Sequence, residues 1–414
     1  MKILLATYWS IPHLGGVWNY MQQLKEKLEK IGHDVDIIGY DENNEHVTLY
    51  NHNEKVGREK ILPLLQAKLT PQNYPELYEN KLVEFTEFQR YIYELGVAYF
   101  GLEKYDVIHT QDVISTASIR RICPSHIPLV ATLHGSVAYE IHHQVKTIHK
   151  SDNSFMAKAY YDELETVGAT SSDITIVANN WLKNILVNEF DVPEEHVRVI
   201  HYGYDTESFI KKMKVKTLIK APKDKKVIIY TGRLTELKGV QHLLTALSRL
   251  KKVRRDWICW IVGAGEDYQK LQERSRILGL DDFVHFLGKR EDVPALLAAS
   301  DIFVLPTLLE NQPLSLVEAQ IAGKAAVVSD INGLPEMVQH KVTGLLTPPA
   351  DADKLYENLH LLLEDELLRN KLGSNAKKWG LTHWSIDQGM KNLLQVYNET
   401  ISLKKSGEHN VSDS

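Results

Sequence analysis

The chain has 414 residues, 43% hydrophobic and 25% charged, with a formal net charge of -6, an ordinary globular make-up with length for two or three domains. Mild acidity argues against nucleic acid as a partner, and Cys123 and Cys259, far apart and without C-x-x-C spacing, exclude a disulfide framework or structural zinc site. No apolar run reaches transmembrane length and Met1–Ala6 enters a strand pattern directly, with no signal-peptide core, so a cytoplasmic protein is expected.

Lys2–Ala6 reads as a first buried strand that empties into a loop over Thr7–Gly16. The pair Gly15-Gly16 there suits a tight turn, and after a first strand it also lets backbone come close to a ligand. Val17 opens a helix, and Gly32-His33-Asp34 turns into a second strand over Val35–Ile38. Residues 41–104 are polar at first and then helical from Pro75 to Phe100. A stripe of Tyr78, Leu82, Phe85, Phe88 and Tyr91 or Tyr93 reads as core. Val107–His109, Leu129–Leu133, Ile174–Ala178 and Val197–Ile200 are further strands with helices between them, the alternation of a doubly wound α/β domain.

Ligands of such sheets bind beyond the carboxyl ends of the strands. That edge carries His109, Gln111, Asp112, His134, Gly135, Asn179 and Gly203. His134-Gly135, directly after a strand, is the most suggestive pair, with a histidine merely hydrogen-bonded at a strand end as the alternative. His142, His143 and His149 lack a carboxylate or thiol at regular spacing, so no metal site is expected.

Residues 210–226 hold eight lysines against one aspartate and break the apolar rhythm. A domain boundary is expected there, as a solvated connector or one weakly drawn to an anionic membrane surface.

A second α/β series follows, with strands at Val227–Thr231, Trp257–Val262, Val284–Leu287, Ile302–Leu305, Ala325–Ser329 and Thr343–Leu346. After its first strand, Gly232 to Gly239 places Arg233 and Lys238 in a loop that opens onto a helix. An arginine fork and a compact ammonium both suit phosphate oxygens. Gly263-Ala264-Gly265 lacks the third glycine of a dinucleotide fingerprint, since Tyr268 stands there. Glu310 lies in the loop after the strand Ile302–Leu305. Pro313 suits the first position of a helix whose apolar face is Leu314, Leu316, Val317 and Ile321, and which Gly323 ends. Glu318 is on that helix. The Leu314 and Ser315 N–H groups at its N-terminus form an anion site of phosphate size. A diphosphate flanked by hydroxylated groups would fit between the two carboxylates, which otherwise are solvated charges beside a helix. The region from Ala352 to Leu403 is helical, and Lys404–Ser414 reads as a disordered tail.

GRLTELKG, the VGAG turn and ENQPLSLVE in one domain, with the Gly15-Gly16 loop, DVIH, LHG, VIHYGYD and NGLPE in order, resemble the retaining glycosyltransferases of family 4. The resemblance implies a GT-B fold, two Rossmann-like doubly wound α/β domains facing across a cleft. The acceptor domain would be 1–205, a linker 206–226, the nucleotide-sugar domain 227–385, and a returning helix 386–403 before the tail 404–414.

It further implies that Glu310 binds hydroxyls of the donor sugar and Glu318 the ribose. Arg233 and Lys238 would hold the diphosphate with the Leu314 and Ser315 amides and the Gly15-Gly16 loop. Gly263 and Asn311 would line the donor side, Lys289 and Arg290 would lie near the base, and His134 would approach the sugar. His109 and Asp112 are further acceptor-side candidates. The chain departs from the family's common pattern at His201 and Tyr202, and at Gln312 and Pro313, changes that bear on the sugar pocket.

The expected activity is transfer of a hexose-type sugar from a nucleoside diphosphate donor, UDP by the family's habit, to a hydroxyl of a sugar, lipid-linked sugar or small metabolite. No tightly bound cofactor and no metal is required, because two cations replace it. The D-x-D matches at Asp34–Asp36 and Asp351–Asp353 read as a strand edge and a helix cap. Open alternatives are a nucleotide-sugar epimerase, a sugar phosphorylase and a catalytically silent scaffold on the same fold. An NAD enzyme fits least, lacking a full G-x-G-x-x-G.

Overall fold

The computed structural model describes residues 1–12, 16–147 and 154–412. It divides into two compact units, one formed by residues 1–201 with 390–414 and the other by residues 202–389.

The first unit is built on eight strands: β1 (Lys2–Ser10), β2 (Asp34–Tyr40), β3 (His46–Leu49), β4 (Glu54–Gly57), β5 (Val107–Thr110), β6 (Leu129–Leu133), β7 (Ile174–Val177) and β8 (Val197–Val199). They lie in the order β4-β3-β2-β1-β5-β6-β7-β8. Pairing is parallel from β2 through β8 and antiparallel from β2 to β4. Ile3, Leu5, Val107, Ile108, Leu129 and Val130 are fully buried, as continuous apolar runs must be when helices cover both faces of a parallel sheet. Asn80, Asp112 and Asn179 each cap a helix by accepting first-turn amides, which satisfies donors the helix cannot pair internally.

The second unit carries six parallel strands: β9 (Lys226–Thr231), β10 (Trp257–Val262), β11 (Val284–Gly288), β12 (Ile302–Leu305), β13 (Ala325–Ser329) and β14 (Gly344–Thr347). Their order is β11-β10-β9-β12-β13-β14. The winding reverses between β9 and β12, so the crevice for a ligand opens past the carboxyl ends of these two strands. Both units are Rossmann-like, as the alternating pattern predicts.

Several expectations are corrected. The polar stretch after β2 contains the short antiparallel strands β3 and β4, which no run of apolar residues announces. The stripe on the helix Lys81–Tyr99 turns Tyr93 into the core at 0% exposure but leaves Phe85 59% exposed. Segment 206–226 is no free connector: Phe209 is buried in the core of the second unit, with Ile210, Met213, Ile219 and Ala221 against it. Lys211, Lys212, Lys214, Lys216, Lys220 and Lys223 are exposed beside these anchors, while Lys225 lies over the Phe283 ring and Lys226 pairs with Asp301. The last helix runs Ile386–Ser412, into residues read as a disordered tail. Tyr397 on it is fully buried in the first unit and bonds His109 at 2.7 Å.

Asp36 is buried and takes hydrogen bonds from Tyr105 (2.8 Å) and His52 (2.7 Å), whereas Asp351 caps a helix through the Lys354 N–H at 2.9 Å. Both are structural carboxylates. No helix among the described residues is long and apolar enough to cross a membrane.

Glu165, on the helix Ser154–Thr170, is fully buried and accepts the Ala138 N–H at 3.0 Å, at the start of the helix Val137–Thr147. Burial pushes its carboxyl up to about 8 against the pull of those amides and the Ser136 hydroxyl. A carboxyl raised on folding contributes stability that is whole below its unfolded value of about 4.3 and lost as pH climbs to the folded one. The melting temperature of the wild type should therefore fall relative to Glu165→Gln between about pH 5 and pH 8. Parallel melting curves across that window would show that Glu165 ionises normally.

Candidate active site

Four loops at the carboxyl ends of the second sheet are knitted together by backbone. After β9, Gly232 N–H bonds Val262 O at 3.0 Å, Leu234 N–H bonds Ala264 O at 2.9 Å, and Asp267 N–H returns to Leu234 O at 3.0 Å. Gly263, after β10, holds Gly288 O at 2.9 Å. Leu308 N–H bonds Leu237 O at 2.7 Å, which ties the loop after β12 to the one after β9. A Cβ at Gly263 would lie 1.8 Å from Gly232 O, one at Gly265 2.3 Å from Leu234 O, and one at Gly239 1.8 Å from Pro306 O. The Gly-Ala-Gly turn is thus a backbone contact between loops. Tyr230, buried beneath, donates its hydroxyl to Arg233 O at 2.6 Å.

This frame brings the expected groups together. Lys238 Nζ meets Glu310 Oε2 at 2.5 Å, with side-chain exposures of only 15% and 17%, so the pair is better shielded than a surface ion pair. Arg233 is exposed at the head of the same loop. Glu310 is anchored by its main chain: its N–H bonds Asn332 Oδ1 at 3.2 Å and its carbonyl accepts the Gly333 N–H at 3.3 Å. The helix Leu314–Ile321 begins just beyond, with Pro313 one position earlier than expected, as its N-cap. Its first turn leaves the Leu314 and Ser315 N–H groups without carbonyl partners in the helix. Asn311 and Gln312 are buried beside them at 5% and 6% exposure.

Glu318 sits half-buried on that helix and accepts the Tyr204 hydroxyl at 2.7 Å. Burial raises its carboxyl to about 7, opposed by the Tyr204 bond and the charge of Lys212. Lys289 is exposed, while Arg290 forks onto Asp292 at 2.8 and 2.7 Å. That fork holds the Asp292 carboxyl down at about 2, so Arg290 is already engaged where Lys289 is not.

In the first unit, His134 follows β6 half-buried, with Nε2 3.0 Å from Gln111 Oε1 and its ring edge-on to Tyr20 at 5.1 Å. His109 and Asp112 do not reach the surface. His109 is wholly buried between Tyr397 and Thr132, each at 2.7 Å, and burial pushes its imidazole down to about 3. Asp112 caps a helix through Ser115 and accepts Thr7 Oγ1 at 2.9 Å and the Tyr8 N–H at 2.8 Å. Both are scaffold groups and not acceptor contacts. Gly16 begins the helix Gly16–Lys30, and Gly15 lies outside the described residues. His201, a departure from the family pattern, is held by Ala178 O at 2.6 Å.

Tyr204 and Asn332 stand within the VIHYGYD and NGLPE motifs, yet the sequence gives no side-chain role to them or to Tyr230: Tyr204 and Asn332 act on residues far along the chain, Glu318 and Glu310, and Tyr230 acts on the nearby Arg233 carbonyl. Among the described residues no group of three or more His, Cys, Asp or Glu side chains stands ready to hold a metal ion.

Gly239 combines a φ of +69° with the approach to Pro306, so Gly239→Ala should cost at least about 1 kcal/mol and displace Lys238 from Glu310. Chemical denaturation at unchanged midpoint would refute this.

The family described as Glycosyl transferases group 1 matches residues 212–379, and that described as Glycosyltransferase Family 4 matches residues 14–208. An uncharacterized glycosyltransferase of Methanocaldococcus jannaschii is 28% identical, over 96% of this chain and 98% of its own length. A UDP-Gal:alpha-D-GlcNAc-diphosphoundecaprenol alpha-1,3-galactosyltransferase of Escherichia coli is 30% identical, over 71% of this chain and 76% of its own. Among solved structures, a sucrose-phosphate synthase of Thermosynechococcus elongatus superposes with a TM-score of 0.73 at 20% identity, covering 97% of this chain and 99% of that one. With the sheet order and the knitted loops beyond β9 and β12, these matches identify the chain as a member of glycosyltransferase family 4, of GT-B fold.

Proposed function

We propose that this glycosyltransferase is a retaining, metal-independent enzyme that moves a hexose-type sugar from UDP to a hydroxyl acceptor. The observation that supports the reading is the pairing of Lys238 with Glu310, which lies in the loop that leads into the helix Leu314–Ile321, with Arg233 exposed on the loop that carries Lys238. Cations and helix amides there suit a diphosphate, and a carboxylate at either side suits hydroxyls. The E. coli relative, whose name gives a UDP-sugar and a lipid-linked acceptor, makes UDP the first donor and a lipid-linked sugar the first acceptor class to try.

In this reading Glu310 binds hydroxyls of the donor sugar and Glu318 the ribose. Lys238 exchanges part of its contact with Glu310 for a phosphate oxygen, joined by Arg233 and the Leu314 and Ser315 amides. Asn311 and Gly263 line the donor side, with Lys289 rather than the engaged Arg290 toward the base. As the bond from the anomeric carbon to the phosphate oxygen breaks, its electron pair stays on the nucleotide and the sugar becomes oxocarbenium-like. Fixed cations and amides stabilise that growing charge without reorganising. The acceptor hydroxyl attacks from the face the nucleotide leaves, and its proton passes to the leaving phosphate oxygen. No protein nucleophile is assigned, and His134 serves the acceptor side.

Arg233→Ala should lower kcat by about 10² to 10³, the scale for losing one charge-stabilising donor; an undiminished kcat would remove it from the mechanism. Turnover of a UDP-sugar should survive EDTA, and an EDTA-sensitive rate restored by a divalent ion would overturn metal independence.

A further inference from the structure

Tyr204 stands near one of the two points where the chain passes between its units, and three contacts lock it. Its N–H bonds Trp384 O at 3.0 Å, and it forms a parallel bridge with Ser385, near the second crossing. Gly203 beside it is pressed so close to the returning chain that an added Cβ would lie 2.6 Å from Ile386 Cα. The tyrosine ring meets Phe209 edge-on at 5.8 Å and is only 8% exposed. A side chain fixed in this way aims its hydroxyl with little freedom, and the hydroxyl lands on Glu318 Oε1 at 2.7 Å, from 114 residues away.

We propose that Tyr204 is a positioning residue for the donor: it orients Glu318 and keeps it ionised as the acceptor of the two ribose hydroxyls. The inference rests on the reading of Glu318 as the ribose-binding carboxylate. One phenol on Oε1 leaves Oε2 and a further lone pair free for a cis-diol, whose two O–H groups both donate. A neutral carboxylic acid offers fewer acceptor sites, so the arrangement works only while Glu318 is charged.

Burial opposes that charge and pushes Glu318 up to about 7. Two groups pull the other way, the Tyr204 hydroxyl and Lys212 on the helix Thr206–Lys212. The same helix also carries Glu207 and Lys211, both exposed and opposite in charge, and the remaining neighbours of the helix Leu314–Ile321 add little. The helix Val293–Ala299 and strands β12 and β13 carry no ionisable side chain. The helix Glu366–His383 sets Gly380 against Gln320 and brings Lys377 only to Gly323, past the helix end. Burial and the Glu318 charge push the Tyr204 phenol far above its ordinary range, so it remains a donor at every pH where the protein is handled. Removing the phenol therefore takes away one of two supports for the charge and should move the titration of Glu318 upward.

The test is calorimetric binding of UDP, and of 2′,3′-dideoxy-UDP, to wild type, Tyr204→Phe and Glu318→Gln between pH 6 and pH 9. Wild-type affinity for UDP should fall as pH drops through neutrality. In Tyr204→Phe the midpoint should rise by about one unit, so that UDP binds about fivefold more weakly at pH 7 and about as tightly as to wild type at pH 9. Glu318→Gln should bind UDP weakly, with only the pH dependence that the dideoxy nucleotide also shows from its own terminal phosphate, and no variant should change the affinity for the dideoxy nucleotide. A Tyr204→Phe profile that matches wild type, or one weakened equally at every pH and for both nucleotides, overturns the inference, the latter by showing a merely structural role. Glu318→Gln binding UDP as tightly as wild type at pH 8.5, or wild type binding no UDP, overturns the functional reading beneath it.

Discussion

The candidate site of the second unit depends on backbone touching backbone. Gly239 against Pro306 O and Gly263 against Gly232 O leave no room for a side chain, and through them the loops after β9, β10 and β12 act as one body. Because Arg233, Lys238 and Glu310 all hang from these loops, their spacing is set by main-chain contacts rather than by flexible side chains. Preorganisation of this kind is what lets charges stabilise a leaving group without first being moved. Asn332 extends the same frame by holding the Glu310 amide from the turn after β13.

The two units use buried ionisable groups differently. In the first, His109 and Asp112 are enclosed and fully engaged with the scaffold. In the second, the carboxylates are left partly open and are held by single partners, Lys238 for Glu310 and Tyr204 for Glu318. A group whose bonding is complete supports the fold. One held by a single partner retains lone pairs for a ligand, at the cost of burying charge that burial disfavours.

Strands of the parallel sheets were legible because a strand covered on both faces must be apolar throughout; β6, β10, β12 and β13 fall on the expected residues. The strands β3 and β4 were not, since each has only four residues and β4 opens with two exposed ones. The loop positions of Glu310, Arg233 and Lys238 and the helix position of Glu318 were legible, whereas the roles given to them come from the family resemblance alone. Position alone misled at His109: a strand end does not tell which layer a side chain enters, and its partner Tyr397 lies 288 residues on. Lysine content likewise hid the apolar anchors of segment 206–226, because composition averages over residues that face opposite ways. Tyr204 and Asn332 lie inside the VIHYGYD and NGLPE motifs, but which group each side chain bonds exists only in the folded contacts they make.

The central claim is that the second unit holds a nucleoside diphosphate sugar through fixed cations, and its most direct test is thermal stabilisation by UDP, GDP, ADP and NAD, each with and without EDTA. A ligand at about 100 times its dissociation constant adds roughly 2.7 kcal/mol to the folded state, enough to see as a melting shift. The account predicts a shift with UDP that EDTA leaves intact. A shift with NAD alone, or with none of the four, would contradict it.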